Sequence, residues 1–300
     1  MTTLITTPGI YPDIPGEDYH GREICDGPSI SASGLKQVLD CPVKYWWNSP
    51  LNPQRPDEKR TKALSLGAAA HDLLLLEEGW QSRYFVVPDG FSAAHTKKWA
   101  DLMPEYEAAV ARGATILTAK QHETVLAMHA ALQDHKTACA ALSNGVPEQT
   151  LAWKDKETGV WLRCRPDFLP NKLTLIPDYK TAADASAKAF QKAVWDHRYH
   201  MQAALYLDGI EAVTGTRPRS FFFVVQEKEP PYLVEIYALS ERALWAGQIM
   251  MRKAVQRFAD CLSTDRWPGY NEEVVTLDLP AWADREVTEN YWKEDAPIAA

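Results

Sequence analysis

Three hundred residues, 46% apolar and 24% charged, with 15 Gly and 20 Pro, exclude a disordered, collagen-like or coiled-coil chain. The longest purely apolar runs, such as Leu73–Leu76 and Phe221–Val225, fall far short of the roughly 18 residues that a membrane-spanning helix needs. The net charge of −8 speaks against a polyanionic partner on average, yet eight acids and two bases in residues 271–300 leave residues 1–270 at only −2, and residues 154–198 hold nine bases against six acids.

The opening Met-Thr-Thr-Leu-Ile-Thr-Thr-Pro has neither the basic nor the apolar region of a secretion signal, so the chain is expected in the cytoplasm. Residues 1–28, with four prolines and no visible period, read as an extended N-terminal arm. Ser31 or Ser33 caps a helix to about Asp40, and Pro42 opens another through about Asn48, with Leu35, Val38, Leu39 and Trp46 facing inward and Trp46-Trp47 in the core. After a proline-rich link from Pro50 to Pro56, Thr61–Glu78 reads as a buried Ala/Leu helix closed by Gly79 in a left-handed cap. Arg83–Val87 is a strand, and residues 95–111 and 118–135 are amphipathic helices on which His95, His122, His129 and His135 are solvated. The centre is β-rich: Gln149–Lys154, Val160–Leu169 and Leu173–Lys180 read as three antiparallel strands. Asp184 caps a helix to about Trp195, and a further helix runs from Tyr199 to Val213. A hairpin of Ser220–Gln226 and Tyr232–Ala238 turns at Pro230-Pro231, and Ser240–Cys261 is the closing helix. The expectation is a single α/β domain over residues 29–268, a central mixed β-sheet flanked by helices, followed by a peripheral acidic tail over 269–300.

Five cysteines without a CxxC pair argue against disulfides and a zinc ribbon, leaving reduced, mostly buried thiols. Four other pieces carry chemistry in combination: His71 on the buried helix, Arg165-Pro166-Asp167 in one strand, Asp178-Tyr179-Lys180 in the next, and Gln202 with Tyr206 on a later helix. Asp178 and Lys180, two apart on a strand, point to the same side. Asp167 and Asp178 each follow a proline, which marks a sheet edge or bend. Two such carboxylates form a minimal Mg²⁺ pair, Lys180 can steer a water or stabilise phosphate charge, and His71 as a ligand shifts preference toward Mn²⁺. Gln202 and Tyr206, four apart on one helical face, can hydrogen-bond a phosphate. Each piece alone also has a plainer reading: a core histidine, a surface ion pair, ordinary helix polarity.

Gly67-x-x-x-His71, Arg165-Pro166-Asp167, Asp178-Tyr179-Lys180-Thr181 and Gln202-x-x-x-Tyr206, in this order, resemble the RecB-type branch of the PD-(D/E)xK nucleases. Ser31-Ala-Ser-Gly-Leu-Lys with Cys41-Pro-Val-Lys-Tyr45, and the stretch from Arg163 to Gln202, resemble more closely the exodeoxyribonuclease VIII (RecE) type and its phage-borne relatives. The resemblance spans roughly residues 17–270 and implies a restriction-endonuclease-like core that hydrolyses DNA with Mg²⁺, Mn²⁺ substituting. It further implies that His71, Asp167, Asp178 and the Tyr179 carbonyl hold the metal, that Lys180 is catalytic with the two aspartates, and that Gln202 and Tyr206 are the helix motif. The second acid is Asp178 where many members of the superfamily carry Glu, and Glu148 is left outside the ligand set. No iron–sulfur cluster is expected, because Cys41 has only Cys261 after the catalytic strands. The implied activity is 5′-to-3′ resection of double-stranded DNA ends for phage-type recombination, with a single-strand annealing protein as partner and a ring-like homo-oligomer as the assembly. The alternative is a non-catalytic module of the same fold that binds DNA ends or a recombination partner.

Overall fold

The computed structural model describes residues 4–12, 14–21, 23–55, 66–76, 79–90, 97–271 and 273–292. Its N-terminal segment is built into the body rather than extended. Strand β1 (Gly9–Tyr11) and helix α1 (Gly16–Gly21) precede β2 (Ser29–Ile30), and Ile5, Tyr19, Ile24 and Cys25 bury themselves with Ala152 and Trp161. A three-residue strand has too little alternation to stand out in a sequence, and its hydrogen bonds come from a distant partner. Next come α2 (Ala32–Asp40) and α3 (Pro42–Asn48), the latter opened by proline, whose missing N–H costs nothing there.

The middle of the chain runs α4 (Leu66–Leu75), α5 (Trp80–Arg83), β3 (Tyr84–Val87), α6 (Lys97–Ala111), β4 (Thr115–Thr118), α7 (Ala119–Asp134) and α8 (Lys136–Ala141). Strands β5 (Gly145–Pro147), β6 (Thr150–Lys154), β7 (Trp161–Cys164), β8 (Phe168–Pro170) and β9 (Leu175–Ala182) form the centre. Helices α9 (Ala187–Asp196) and α10 (Tyr199–Thr214) cross over to β10 (Ser220–Glu227), and β11 (Val234–Ala238), α11 (Glu241–Thr264) and α12 (Ala281–Asn290) follow.

Among the described residues the strands divide into two mixed sheets, ordered β1-β6-β7-β2 and β11-β10-β9, and two pairs, β3 with β4 and β5 with β8. β9 pairs in parallel with β10, placing Asp178 opposite Phe223 and Lys180 opposite Val225. A parallel pair needs a long crossover, which α9 and α10 supply. β9 stands at the edge of its sheet, where Pro177, with no N–H to give, is tolerated. The main core joins Leu35 and Val38 of α2, Leu151 and Leu162 of the first sheet, Leu205 and Ile210 of α10, Phe221 and Phe223 of β10, and Val255 and Phe258 of α11. Every residue of α10 from His200 to Leu207 is buried, so its apolar face is no stripe. A Cβ at Gly247 would lie 2.1 Å from the His200 carbonyl oxygen, so glycine is what lets α11 approach α10.

Several expectations fail for identifiable reasons. Val160–Leu169 is not one strand: it breaks at Arg165–Asp167 into β7 and β8, because Pro166 cannot donate to a ladder, and β9 leaves to join β10. The three-stranded antiparallel meander is therefore reduced to the β6–β7 hairpin. The buried Ala/Leu helix ends at Leu75, and Gly79 has φ −102° at the start of α5 instead of a left-handed cap; the expected ends at Thr61 and Glu78 lie outside the described residues. Ser186, not Asp184, caps α9, accepting from the Ala189 N–H, while Asp184 accepts from the Ser186 N–H. Trp47 is 51% exposed and Tyr45 takes the core position in its stead. His122 stacks on Trp80 and His135 caps α8, so neither is merely solvated; His95 lies outside the described residues. All five cysteines are free thiols, four of them buried, as expected. No described helix is long and apolar enough to cross a membrane.

Candidate functional site

The edge position of β9 presents Asp178 and Lys180 on one side, as strand alternation requires, and the Lys180 ammonium closes on the Asp178 carboxylate as an ion pair. The other carboxylate oxygen accepts from Gln202 Nε2 at 2.9 Å, across from α10. Asp178 is only 1% exposed, and a buried carboxylate must be met in this way by donors on both oxygens. Asp167, in the break that Pro166 makes between β7 and β8, turns one oxygen to the Tyr179 N–H at 2.8 Å and the other to His71 Nε2 at 3.3 Å. His71 reaches the strands from α4, whose buried Gly67, Ala69 and Ala70 leave no bulk to hold the helix away. The break, the edge strand and the small-residue helix thus bring His71, Asp167, Asp178, Tyr179 and Lys180 together.

Burial raises the Asp178 pKa, and the neighbouring Asp167 raises it further, to about 6 against the pull of Lys180. Burial also opposes the charge on Asp167, but Lys180 and His71 outweigh it and hold that carboxyl below its ordinary range. Lys180, in turn, stays charged against burial because Asp178 and Asp167 face it. His71 is carried up to about 10 by Asp167 and Asp72 despite its burial.

Two features of the site went unread in the sequence. Asp72, next to His71, lies 3.6 Å from His71 Nδ1 and is itself held by the Tyr84 hydroxyl at 2.9 Å and by Arg83 at 3.5 Å. Its signal was only a lone acid inside an Ala/Leu helix. Tyr199, at the start of α10, has Lys180 Nζ 5.3 Å and Lys36 Nζ 5.5 Å from its ring centre, so a second lysine stands close by. Burial carries Lys36 down to about 8, with Lys180 as the next cause. Glu148, set aside in the sequence, lies 4.0 Å from His71 Nδ1 and has φ 48°, a left-handed conformation uncommon for a residue with a side chain. Tyr206 is buried in the main core against Phe221, and Gln202 spends its amide on Asp178, so both motif residues of α10 are turned to the protein itself.

The donor set fits a divalent cation. Carboxylate oxygens and an imidazole are its ordinary ligands, and the 3.3 Å between His71 Nε2 and Asp167 Oδ1 is close to the ~3 Å between neighbouring ligand atoms ~2.1 Å from one octahedral ion. A second group, His71, Asp72 and Glu148, has donor atoms within 4.8 Å of one another and could also hold a metal. The two nitrogens of His71 separate the sets. An imidazole that ligates through one nitrogen usually hands its other N–H to a carboxylate. Nε2 faces Asp167 while Nδ1 faces Asp72 and Glu148, an order that fits an ion on the Asp167 side, with Asp72 orienting the ring.

Residues 31–280 match the family described as "PDDEXK-like domain of unknown function (DUF3799)". Among solved structures, a protein from Eubacterium rectale called a "Putative exonuclease" superposes with a TM-score of 0.61 over 91% of this chain and 98% of its own, at 14% identity, and at that identity the likeness speaks for the fold. A second match, SSO0001, at 14% identity over 57% of this chain and 72% of its own, has a TM-score of 0.30 and carries no argument. No curated protein matches the chain.

Proposed function

The chain belongs to the PDDEXK-like family and has a restriction-endonuclease-like fold, and from that premise we propose that it is a metal-dependent nuclease hydrolysing the phosphodiester bonds of double-stranded DNA. The observation that carries the reading is the convergence of His71, Asp167, Asp178 and Lys180, with His71 Nε2 3.3 Å from Asp167 Oδ1 and Lys180 paired to Asp178.

In this reading His71, Asp167, Asp178 and the Tyr179 carbonyl hold Mg²⁺, with Mn²⁺ able to substitute. The bound ion supplies Lewis-acid polarisation of the phosphate and a more acidic water. The protein's own residues prepare the rest. Asp72 orients the His71 ring from the Nδ1 side, and Gln202 fixes the Asp178 carboxylate by its 2.9 Å hydrogen bond. Lys180, kept charged by two carboxylates, offers an ammonium to the oxygen charge that grows on phosphate as the bond breaks. A module that only bound DNA ends would have no use for an ammonium shut in with two carboxylates, since burying such groups is costly.

The finer reading is exonucleolytic: 5′-to-3′ resection from duplex ends in the manner of the RecE type, leaving single strands for an annealing protein in phage-type recombination, with the basic faces gathered by a ring-like homo-oligomer. The test is a comparison of end-labelled linear duplex with covalently closed circular duplex, each incubated with Mg²⁺, Mn²⁺ or EDTA. Cleavage of the linear substrate alone, from one labelled end and only with metal, is expected. Cleavage of the closed circle would replace the exonuclease by an endonuclease, and no metal-dependent cleavage of either would overturn the nuclease reading.

A further inference from the structure

A polar cavity of about 230 Å³ lies between the N-terminal segment, α2, α3 and β7. It is smaller than the ~300–1,000 Å³ of ordinary small-molecule sites and suits one compact polar group. Arg163, Arg55, Ser31, Ser33, Gln37 and Asn48 contribute to its wall, and among the described residues no acid does, in a chain whose net charge is −8.

Arg163 sets this cavity apart. The residue is 6% exposed, and among the described residues its Nε, shut from solvent, has no hydrogen-bond partner, nor has Oε1 of Glu23. One terminal nitrogen donates to Ser29 Oγ and lies 4.0 Å from Glu23 Oε2, a carboxylate outside the cavity wall. Arg165, two residues on in the break after β7, is differently employed: it donates to Thr150 Oγ1 and to the Ile14 carbonyl. Both guanidiniums lie over the Tyr19 ring, 4.4 Å from its centre for Arg165 and 5.5 Å for Arg163. Of two arginines in similar surroundings, one gives two of its three nitrogens to protein acceptors and the other keeps a buried charged donor with no acceptor among the described residues, which is costly unless something supplies one.

The first turn of α2 forms another part of the wall. Ser31 stands at the N-cap of this nine-residue helix yet makes no side-chain cap hydrogen bond, and its Oγ lies 3.0 Å from Ser33 Oγ instead. A helix start whose N–H groups are not capped by a side chain, bordered by two hydroxyls and a guanidinium, is an arrangement that attracts an anion.

We propose that this cavity holds a phosphate of the nucleic-acid substrate other than the one being cut, an inference that rests on the nuclease reading. Arg163 and Asp167 are four residues apart, at most about 13 Å of chain at ~3.3 Å per residue. A DNA strand presents a phosphate every ~3.4 Å of axis, so the held phosphate lies within a few nucleotides of the scissile one. Held there, it fixes how far the strand advances into the metal-binding cleft.

The test uses the full chain in EDTA, with fluorescence anisotropy of labelled duplexes ending in a 5′-phosphate, a 3′-phosphate or hydroxyls only. Arg163→Gln should weaken binding about tenfold and lower the slope of log K against log salt by about 0.9, the value of one neutralised phosphate. Ser31→Ala with Ser33→Ala should weaken binding and leave the slope unchanged, and this pair, outside the buried core, keeps the test decisive if Arg163→Gln does not fold. A loss confined to one phosphorylated end identifies a terminal phosphate; an equal loss on all three duplexes identifies an internal diester. Unchanged affinity and slope in both variants, with cleavage by the unmodified protein intact, would overturn the phosphate cavity and leave the nuclease reading standing. An unmodified protein that neither binds nor cuts duplex would overturn both.

Discussion

Asp178 and Asp167 are both short acids after prolines, yet their surroundings give them different parts. Asp178 is closed in by Lys180 and Gln202, while Asp167 keeps one oxygen toward His71. Asp167→Ala is therefore expected to abolish metal-dependent cleavage with little change in melting temperature. Asp178→Ala should also remove activity but strands the Lys180 ammonium, a loss of about 3–5 kcal/mol by analogy with other broken buried pairs. Lys180→Ala should lower the cleavage rate by about 10²- to 10⁴-fold while retaining metal binding, which calorimetry with Mn²⁺ reads directly. Loss of the metal in Lys180→Ala would mean that the lysine builds the site rather than serving the reaction. Asp178 and Lys180 were legible from their type and spacing because strand alternation leaves no choice of side, and Asp167 was legible from the proline before it, which marks a break. Asp72 was not, since only the fold reveals that it stands behind the His71 ring.

At the level of elements, long helices and the β10–β11 hairpin could be read within a few residues, because their periodicity lies in the local sequence. The parallel pairing of β9 with β10 could not, because nothing local in Leu175–Ala182 says which distant strand it will meet. The same limit hides the approach of α11 to α10. Gly247→Ala would place a methyl 2.1 Å from the His200 carbonyl oxygen, and about 1–3 kcal/mol of stability should be lost as the helices move apart; an unchanged denaturant midpoint would show that they can shift freely. A second tie holds α11 to the β6–β7 turn through Arg252, which pairs with Asp155 and reaches Glu157 at 2.7 Å. Burial opposes the charge of Asp155, but Arg252 and Thr158 outweigh it and hold the carboxyl below its ordinary range. Its stabilising contribution is thus complete at neutral pH and drains away as pH falls below the unfolded value of about 4. Asp155→Asn should be less stable near pH 7 and show a flatter acid limb in urea unfolding at several pH values. Parallel curves for the two proteins would remove this tie from the account.

For the whole molecule, net charge is a poor guide to how DNA would be held, because the charges are unevenly placed. Residues 271–300 contribute −6 of the −8, and no residue of α12 is buried. The body ends its packing just before that point: Trp267 lies against Tyr45 and Phe258, and the Tyr270 hydroxyl accepts from Lys44 Nζ at 2.6 Å. Ending the chain after Tyr270 therefore spares these contacts and should leave the melting temperature nearly unchanged. It also removes a long-range repulsion toward phosphate, which acts over a Debye length of about 10 Å at 0.1 M salt and about 30 Å at 0.01 M. The shortened chain should accordingly bind duplex at least as tightly as the full chain at low salt, and the two affinities should converge as salt rises. Weaker binding by the shortened chain at low salt, together with a smaller mass by light scattering, would instead assign the tail to an interface between copies. The tail's exposed Val274, Leu277, Trp282 and Tyr291 would then form the apolar side of that contact.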